Sequence, residues 1–459
     1  MTCSDYGKDA PKVMGKEPGS SSGGTEEGMG SLKAGTARLA RGIEAVLRWR
    51  AFPRGLQWSL AVVAGLVVFL ALRPLRHAEV NPGAAILWQL WWPLLPFLIL
   101  LTARLWCAVC PIPALGEMVW LSHRRSLPLP PPQLRRIGPW LAAALLTALS
   151  FAFILSSLEI NGRLTALLLI GFALGAGATA LFWRGRSFCR YLCPLGLMIG
   201  LYSRLAWLRL GPADNPGRKA AAASARRCPL FTSPVASRRA QDCVLCATCL
   251  QEDEGEAVAV RLEAPTLTRP ALLSAEAVAV TLLLGALLAD ALRMTPLYLR
   301  YMAWALPLLG WNYRLTMGLG IAGVMGALLA GQTAAALLWG RRSSFWPFFG
   351  RLSLAWLPLA LAAHLALSAQ HLLAAGTVYQ NLAAELALVS PGHLPPTDAY
   401  SFLWPLKGLQ WVLLLAGAMI ALAVARRWPG SQSKAYLAAA VVPALALLVI
   451  FLEPMSVAC

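Results

Sequence analysis

Charge is what this sequence has least of. Only 13% of its 459 residues are Asp, Glu, Lys or Arg, and the acidic ones number 21 against 40 basic ones. An ordinary soluble domain carries about 25% charged residues, so the chain lacks the polar surface a soluble fold of this length needs. Also absent are a Walker A loop, a dinucleotide fingerprint after a strand, an HExxH pair and a convincing nucleophile triad. No stand-alone catalytic constellation is expected. The ten cysteines do not form a secreted disulfide framework, because seven lie in Cys-Pro or C-x2-C contexts, the contexts of metal or redox chemistry on a reducing side.

What is abundant is apolar. Hydrophobic residues make up 58% of the chain, in long uncharged runs that read as membrane spans. Nine runs are expected, near 56–72, 84–105, 138–158, 164–183, 272–290, 314–339, 352–374, 404–425 and 436–452. Pro93 and Pro96 should kink the second, and the short apolar stretch 296–311 reads as a re-entrant or outer-surface helix or a tenth span. The fold class is therefore an all-α polytopic integral membrane protein of about nine transmembrane helices, with a small cytosolic loop module.

The net charge of +19 would suggest nucleic acid in a soluble protein. Here the basic residues stand at the ends of apolar runs, and no nucleic-acid partner is expected. With the N-terminus inside, 33 of the 40 Lys and Arg fall inside and six in outer loops, with Lys407 in a span, and 375–403 carries none. The positive-inside rule selects this orientation, which puts Cys459 outside. Residues 1–31, with Cys3, read as a disordered tail rather than a signal peptide. Residues 32–55 read as a basic interfacial helix on an anionic leaflet or a solvated linker.

The chemistry concentrates at Cys228-Pro229 and Cys243-Val244-Leu245-Cys246-Ala247-Thr248-Cys249. Three cysteines spaced C-x2-C-x2-C are the ligand run of a ferredoxin-type [4Fe–4S] cluster, whose fourth thiolate comes from a Cys-Pro elsewhere. Asp253 stands where this run's own fourth cysteine would be, and Cys228 precedes a proline upstream, so Cys228, Cys243, Cys246 and Cys249 read as one complete site. Zinc also takes four thiolates, but usually as two C-x2-C pairs. The acidic residues Glu252, Asp253, Glu254 and Glu256 after the run read as a solvated loop.

A second pattern repeats. The second span runs into Arg104-Leu105-Trp106-Cys107-Ala108-Val109-Cys110-Pro111, and the fourth into Arg186-Ser187-Phe188-Cys189-Arg190-Tyr191-Leu192-Cys193-Pro194. Each is a two-helix unit ending at the same face in arginine, an aromatic residue, two cysteines and proline. Cys107, Cys110, Cys189 and Cys193 are candidate redox or metal thiols, for a second cluster or for copper. Arginines beside them are expected to lower the thiol pKa.

FCRYLCPLG, WCAVCP and the downstream cysteine run resemble membrane ferredoxins of the NapH, NosR and CcoG type, over about residues 56–255. The resemblance implies a bacterial cytoplasmic (inner) membrane protein that moves electrons for membrane or periplasmic oxidoreductases and their maturation. Three departures stand out. The first motif here is C-x2-C-P where the family usually has C-x3-C-P. One ferredoxin cluster can be assembled rather than two. Residues 272–459 add about five spans outside the pattern.

The domain reading is a tail at 1–31, a basic helix at 32–55, a four-helix membrane module at 56–210, an iron–sulfur segment at 211–268 and a C-terminal membrane module at 272–459. In the last, His364 and His371 lie seven residues apart on one helical face, roughly 10 Å at 1.5 Å rise per residue. That is too far to share one ion, so each is a candidate haem or quinone contact. His77, His123 and His393 lie in loops, so a bis-His haem lacks partners. Glu276 and Lys407, near span ends, are expected to be paired or snorkelling. The expected function is electron transfer between the cytosolic cluster and a membrane or outer-face acceptor, with the bilayer and a redox protein or the quinone pool as partners. Two other classes are a thiol- or cluster-based copper reductase or maturation factor, and a transporter using the cluster as a sensor, which the lack of charged span interiors disfavours.

Overall fold

The computed structural model describes residues 26–73, 81–114, 116, 127–213, 228–232, 242–251, 258–265, 272–339, 345–374, 403–427 and 432–453. Cys3, His77, His123, the acidic residues 252–256, His393 and Cys459 lie outside them. The first half contains α1 (Glu26–Arg48), α2 (Arg54–Leu72), α3 (Pro82–Thr102), α4 (Leu105–Val109), α5 (Pro132–Leu155), α6 (Gly162–Phe182), α7 (Ser187–Tyr191) and α8 (Pro194–Tyr202). A strand β1 (Leu208–Pro212), a one-turn helix α9 (Thr248–Gln251) and a strand β2 (Val258–Leu262) follow. The second half contains α10 (Ser274–Arg293), α11 (Pro296–Leu308), α12 (Tyr313–Trp339), α13 (Phe345–Ala374), α14 (Leu403–Arg426) and α15 (Gln432–Leu452).

Among the described residues eight helices are long and apolar enough to cross a membrane, and α15 contributes a further apolar stretch of 17 residues, Tyr436–Leu452. This is the architecture of a multi-pass membrane protein. α11, at 13 residues, is too short to cross at 1.5 Å per residue. Its Leu299, Trp304 and Leu308 are exposed, as on a helix lying along the bilayer surface. In α3 the backbone widens into a π-helix over Ile86–Trp91, directly before Pro93 and Pro96; proline removes the amide that the regular ladder needs, and the wider turn absorbs the mismatch.

The bundle has a centre and a lipid-facing rim. Every residue of α13 from Leu352 to Gln370 is buried, with α10, α14 and α3 packed around it. By contrast α2 leaves Val62, Leu66 and Phe69 exposed, and α6 leaves Leu167, Leu174 and Leu181 exposed; each set recurs on one helical face. Acyl chains cover such faces at no hydrophobic cost. Several polar side chains inside the bundle are paired. Gln332 of α12 donates to Ser353 Oγ at 2.6 Å and Phe349 O at 3.1 Å on α13, and accepts from Thr281 of α10. Lys407 donates to the carbonyls of Phe451 and Glu453 at the end of α15, and Glu276 accepts the Leu273 N–H at 2.8 Å, capping α10. The sequence-based expectation of pairing holds for both.

Two asparagines start the hairpin helices. Asn81 Oδ1 accepts the N–H groups of Gly83 and Ala84, and Asn161 Oδ1 accepts that of Leu164, satisfying amides a helix start leaves open. Asn81 Nδ2 also donates to Ala71 O at the end of α2. α6 begins against this junction, and a Cβ on Gly162 would lie 2.3 Å from Ala71 O, so only glycine lets α2, α3 and α6 meet there.

β1 and β2 pair antiparallel from Leu208↔Leu262 to Pro212↔Val258, closing a small module over the membrane end where the cysteines lie. α1 begins at Glu26 rather than near 32, and it is tied to this module. Arg48 donates to Leu250 O, and Gln251 Nε2 donates to the carbonyls of Leu47, Trp49 and Phe52. Leu47 is buried in the module's core, while Leu39, Val46 and Trp49 stay exposed.

Candidate metal centre

The two hairpins end alike. After α3 the chain breaks at Ala103 (φ 54°), and after α6 at Gly185 (φ 71°). Each break leads through an arginine, Arg104 or Arg186, into a five-residue helix, α4 or α7. The first cysteine occupies the third position of each, Cys107 and Cys189, and the second follows the helix, Cys110 and Cys193. The two halves then clasp each other. Arg104 Nη2 donates to Gly196 O at 3.1 Å, beyond the second motif. Arg186 Nη1 donates to Cys107 O at 2.8 Å, and its two Nη atoms reach Ala108 O at 3.4 and 3.3 Å, inside the first. Both guanidinium groups are buried. Each repeat's arginine thus holds the other repeat's cysteine loop.

Cys110 and Cys193 both feel the charges of Cys189 and Cys107. Burial pushes the Cys110 and Cys193 thiols well up; next in size comes Cys189, which raises both, and Cys107 adds to each. Arg186 pulls Cys110 down by less than burial pushes it up. The expected lowering by a neighbouring arginine is present at Cys110, from Arg186, but burial outweighs it. Gathered, buried thiols need a cation to ionise together, which an iron–sulfur core supplies.

The loop run forms the second group. Burial raises Cys243 well above its ordinary value, with Cys249, Cys246 and Cys228 adding. Cys249 is pushed up to about 12 by burial first and then by Cys246 and Cys228. Leu245 (φ 56°) and Ala247 (φ 59°) are left-handed between the cysteines, a costly conformation for residues with a Cβ. The alternation wraps the loop, and the Leu245 N–H points at Cys243 Sγ at 3.4 Å. In the hairpin set the Gly196 N–H donates to Cys193 Sγ at 3.3 Å. Amide donors aimed at sulfur are among the levers that tune iron–sulfur centres.

The two groups are neighbours. The Arg186 N–H donates to Pro229 O at 2.9 Å, joining the second hairpin motif to the Cys228-Pro229 segment. A Cβ on Gly185 would lie 2.5 Å from that same carbonyl. Arg190 Nη1 pairs with Asp242 at 2.7 Å, next to Cys243. Cys246 and Cys249 belong to an apolar cluster against which Cys107, Cys189, Cys228 and Cys243 all pack. Among the described residues no three His, Cys, Asp or Glu side chains are grouped as a single metal ion requires. The donor sets fit a cluster in chemistry and number.

Away from the cysteines, the two described histidines, His364 and His371, pack among protein groups. The His364 ring packs against Trp92 and Tyr202, with ring centroids at 5.5 and 5.8 Å, and His371 Nδ1 bonds to Leu367 O within its own helix. Sequence reasoning missed two features. One is the crossed arginine pairing, which spacing does not carry. The other is an ionic group at the end of the bundle opposite the cysteines, where Arg293 pairs with Asp290 at 3.0 Å and Glu159 at 3.6 Å. Asp290 and Arg293, three apart at a span end, were the available signal.

Against known families, the chain matches one described as a 4Fe-4S binding domain, twice, over residues 84–130 and 164–211. Each match contains one hairpin's two cysteines, and the C-x2-C-x2-C run lies outside both. No curated protein and no solved structure matches the chain. The duplication read from the cysteine motifs is thus matched by a duplicated iron–sulfur binding domain.

Proposed function

We propose that this chain is a membrane-bound electron carrier with two iron–sulfur sites, one held by Cys228, Cys243, Cys246 and Cys249 and one by Cys107, Cys110, Cys189 and Cys193. The observation that carries the reading is the division of eight cysteines into two four-thiol groups, bridged by the Arg186–Pro229 and Arg190–Asp242 bonds. A [4Fe–4S] cluster supplies reversible one-electron exchange at each site. The protein's own residues hold the ligand loops, bury them, and direct the Leu245 and Gly196 amides at sulfur. The Arg104 and Arg186 guanidinium groups place positive charge beside sites whose thiolates are negative.

The distribution of Lys and Arg supports an orientation with the cysteine end in the cytoplasm of a bacterial inner membrane. Kinship with membrane ferredoxins of the NapH, NosR and CcoG type is part of the same proposal, as is a redox protein docking at the cysteine end. Copper handling is the weaker reading, because the family matched over both hairpins is a 4Fe-4S binding domain. The test is anaerobic purification with iron and sulfide analysis and EPR of the reduced protein. Replacing Cys243, Cys246 or Cys249 by Ala should remove the loop cluster's signal, and Cys228→Ala should do nearly the same. A Cys228→Ala protein with an intact signal would assign the fourth ligand elsewhere.

A further inference from the structure

A groove of about 570 Å³ opens at the cysteine end of the bundle. It lies between the start of α2 and the end of α3, and the end of α1 and α4 close it off. Val46, Trp49, Leu56, Leu98, Leu105 and Trp106 form its apolar wall. Val46 is 61% exposed and Trp49 65%. Large apolar side chains gathered in an exposed slot mark a binding surface. Two hydroxyls also line it, and both are spent on their own helices: Ser59 Oγ donates to Gly55 O at 3.1 Å and Thr102 Oγ1 to Leu98 O at 2.7 Å. The slot therefore suits a hydrocarbon chain better than a ligand with polar groups of its own.

The mouth of the groove is positive. Arg50 follows Trp49, Arg54 precedes Gly55, and Trp49 and Gly55 both line the slot. Both arginines are exposed. The segments that build the groove, 45–78 and 80–116, contain no acidic residue. Glu44, just before them, is taken by Arg48 at 2.9 Å. A basic helix on an anionic leaflet attracts headgroups alone; here an apolar slot stands beside the charges and accepts a chain as well.

We propose that this groove is a specific site for one anionic phospholipid, with an acyl chain in the slot and the phosphate at Arg50 and Arg54. Its place beside the thiols gives the lipid a task. Trp106 precedes Cys107, and Val109, also in the wall, precedes Cys110. Gln57 of α2 donates to Cys110 O at 3.2 Å, holding the helix against that loop. A chain in the slot seals the hairpin thiols on their lipid-facing side. Only this sealing role rests on the electron-carrier reading.

The experiment is native mass spectrometry of the full-length protein in detergent, titrated separately with dioleoyl phosphatidylglycerol and dioleoyl phosphatidylcholine. The wild type should bind its first phosphatidylglycerol roughly thirtyfold more tightly than phosphatidylcholine, the worth of two basic side chains at a membrane surface. The Arg50→Gln, Arg54→Gln double variant should lose that preference and keep its affinity for phosphatidylcholine. Ser59→Phe, which fills the slot from an exposed position of α2, should weaken both lipids. Val62→Phe, on the exposed face of α2 outside the groove, should change neither. Equal affinity for the two lipids in the wild type overturns the proposal, as does a first equivalent unchanged in both the double variant and Ser59→Phe. A neutral lipid retained by the wild type and lost in Ser59→Phe overturns it too. On cluster-containing protein, phosphatidylglycerol should slow iron release to a chelator in the wild type and not in Ser59→Phe; release indifferent to the lipid overturns the sealing role. Protein purified anaerobically without iron would sink the electron-carrier reading, and the lipid titration would still decide the groove.

Discussion

Replacing Arg186 by leucine removes one side of the crossed arginine clasp and leaves the backbone where it is. The guanidinium is 5% exposed and donates once at 2.8 Å to Cys107 O and twice, at 3.4 and 3.3 Å, to Ala108 O. A hydrogen bond to a charged group contributes about 1.5–3 kcal/mol. Counting the short bond fully and the long pair as weak gives a loss of about 2–4 kcal/mol at the hairpin site. At about 1.4 kcal/mol per factor of ten, metal retention there should fall roughly 30- to 700-fold. The assay is iron release to a chelator, followed anaerobically, with EPR separating the two sites. The Arg186 N–H bond to Pro229 O is backbone, so the leucine variant retains it, and the loop site should hold its iron. Arg186→Lys should fall between the two, since an ammonium keeps the charge without the fork. Iron loss identical to wild type, or equal loss from both sites, would refute the clasp as the hairpin site's support.

Gly185→Val places a Cβ where Pro229 O stands, 2.5 Å away, at a left-handed φ of 71°. It should detach the loop module from the second hairpin, read as faster proteolysis between residues 211 and 268 with both cluster signals initially present. Gly162→Leu should disrupt the meeting of α2, α3 and α6 and lower the yield of folded protein in the membrane. In cluster-free protein, Cys249 is raised from 9.0 to about 12. A raised thiol favours the folded state below its unfolded pKa and loses that contribution as pH climbs to the folded value, so loop stability should fall between about pH 9 and pH 12. Alkylation of Cys249 by iodoacetamide should remain slow at pH 8 and accelerate across the same window. A membrane-impermeant thiol reagent should label Cys459 on intact cells, in a variant lacking the other cysteines, if nine crossings put it outside; labelling only after lysis would require an even number.

Much of the architecture is legible in the sequence because membrane helices announce themselves locally. Long uncharged runs with Arg or Lys at their ends locate α2, α3, α5, α6, α10, α12, α13 and α14 within a few residues, since each helix must satisfy its own backbone in lipid. The cysteine spacings are equally local: one loop places Cys243, Cys246 and Cys249, and one turn beyond α3 or α6 places each hairpin pair. What spacing cannot carry is contact across the chain. Arg104 reaches Gly196 over a separation of 92 residues, and Arg186 reaches Cys107 over 79. The same limit hides the burial of the thiols: Arg186 lowers Cys110, but burial, which sequence does not show, outweighs it, and Arg190 turns to Asp242. His364 also gave little away alone. Its place between two aromatic rings needs α3, α8 and α13 to be assembled first.

The central claim is that eight cysteines hold two clusters, and iron and sulfide counting on anaerobically purified protein tests it most directly. The wild type should contain about eight iron and about eight acid-labile sulfide ions, four of each per cluster. A Cys107→Ala, Cys189→Ala double variant should drop to about four of each while keeping the loop cluster's EPR signal. A wild type with about four iron, unchanged in the double variant, would contradict the account and reduce the hairpin cysteines to packing.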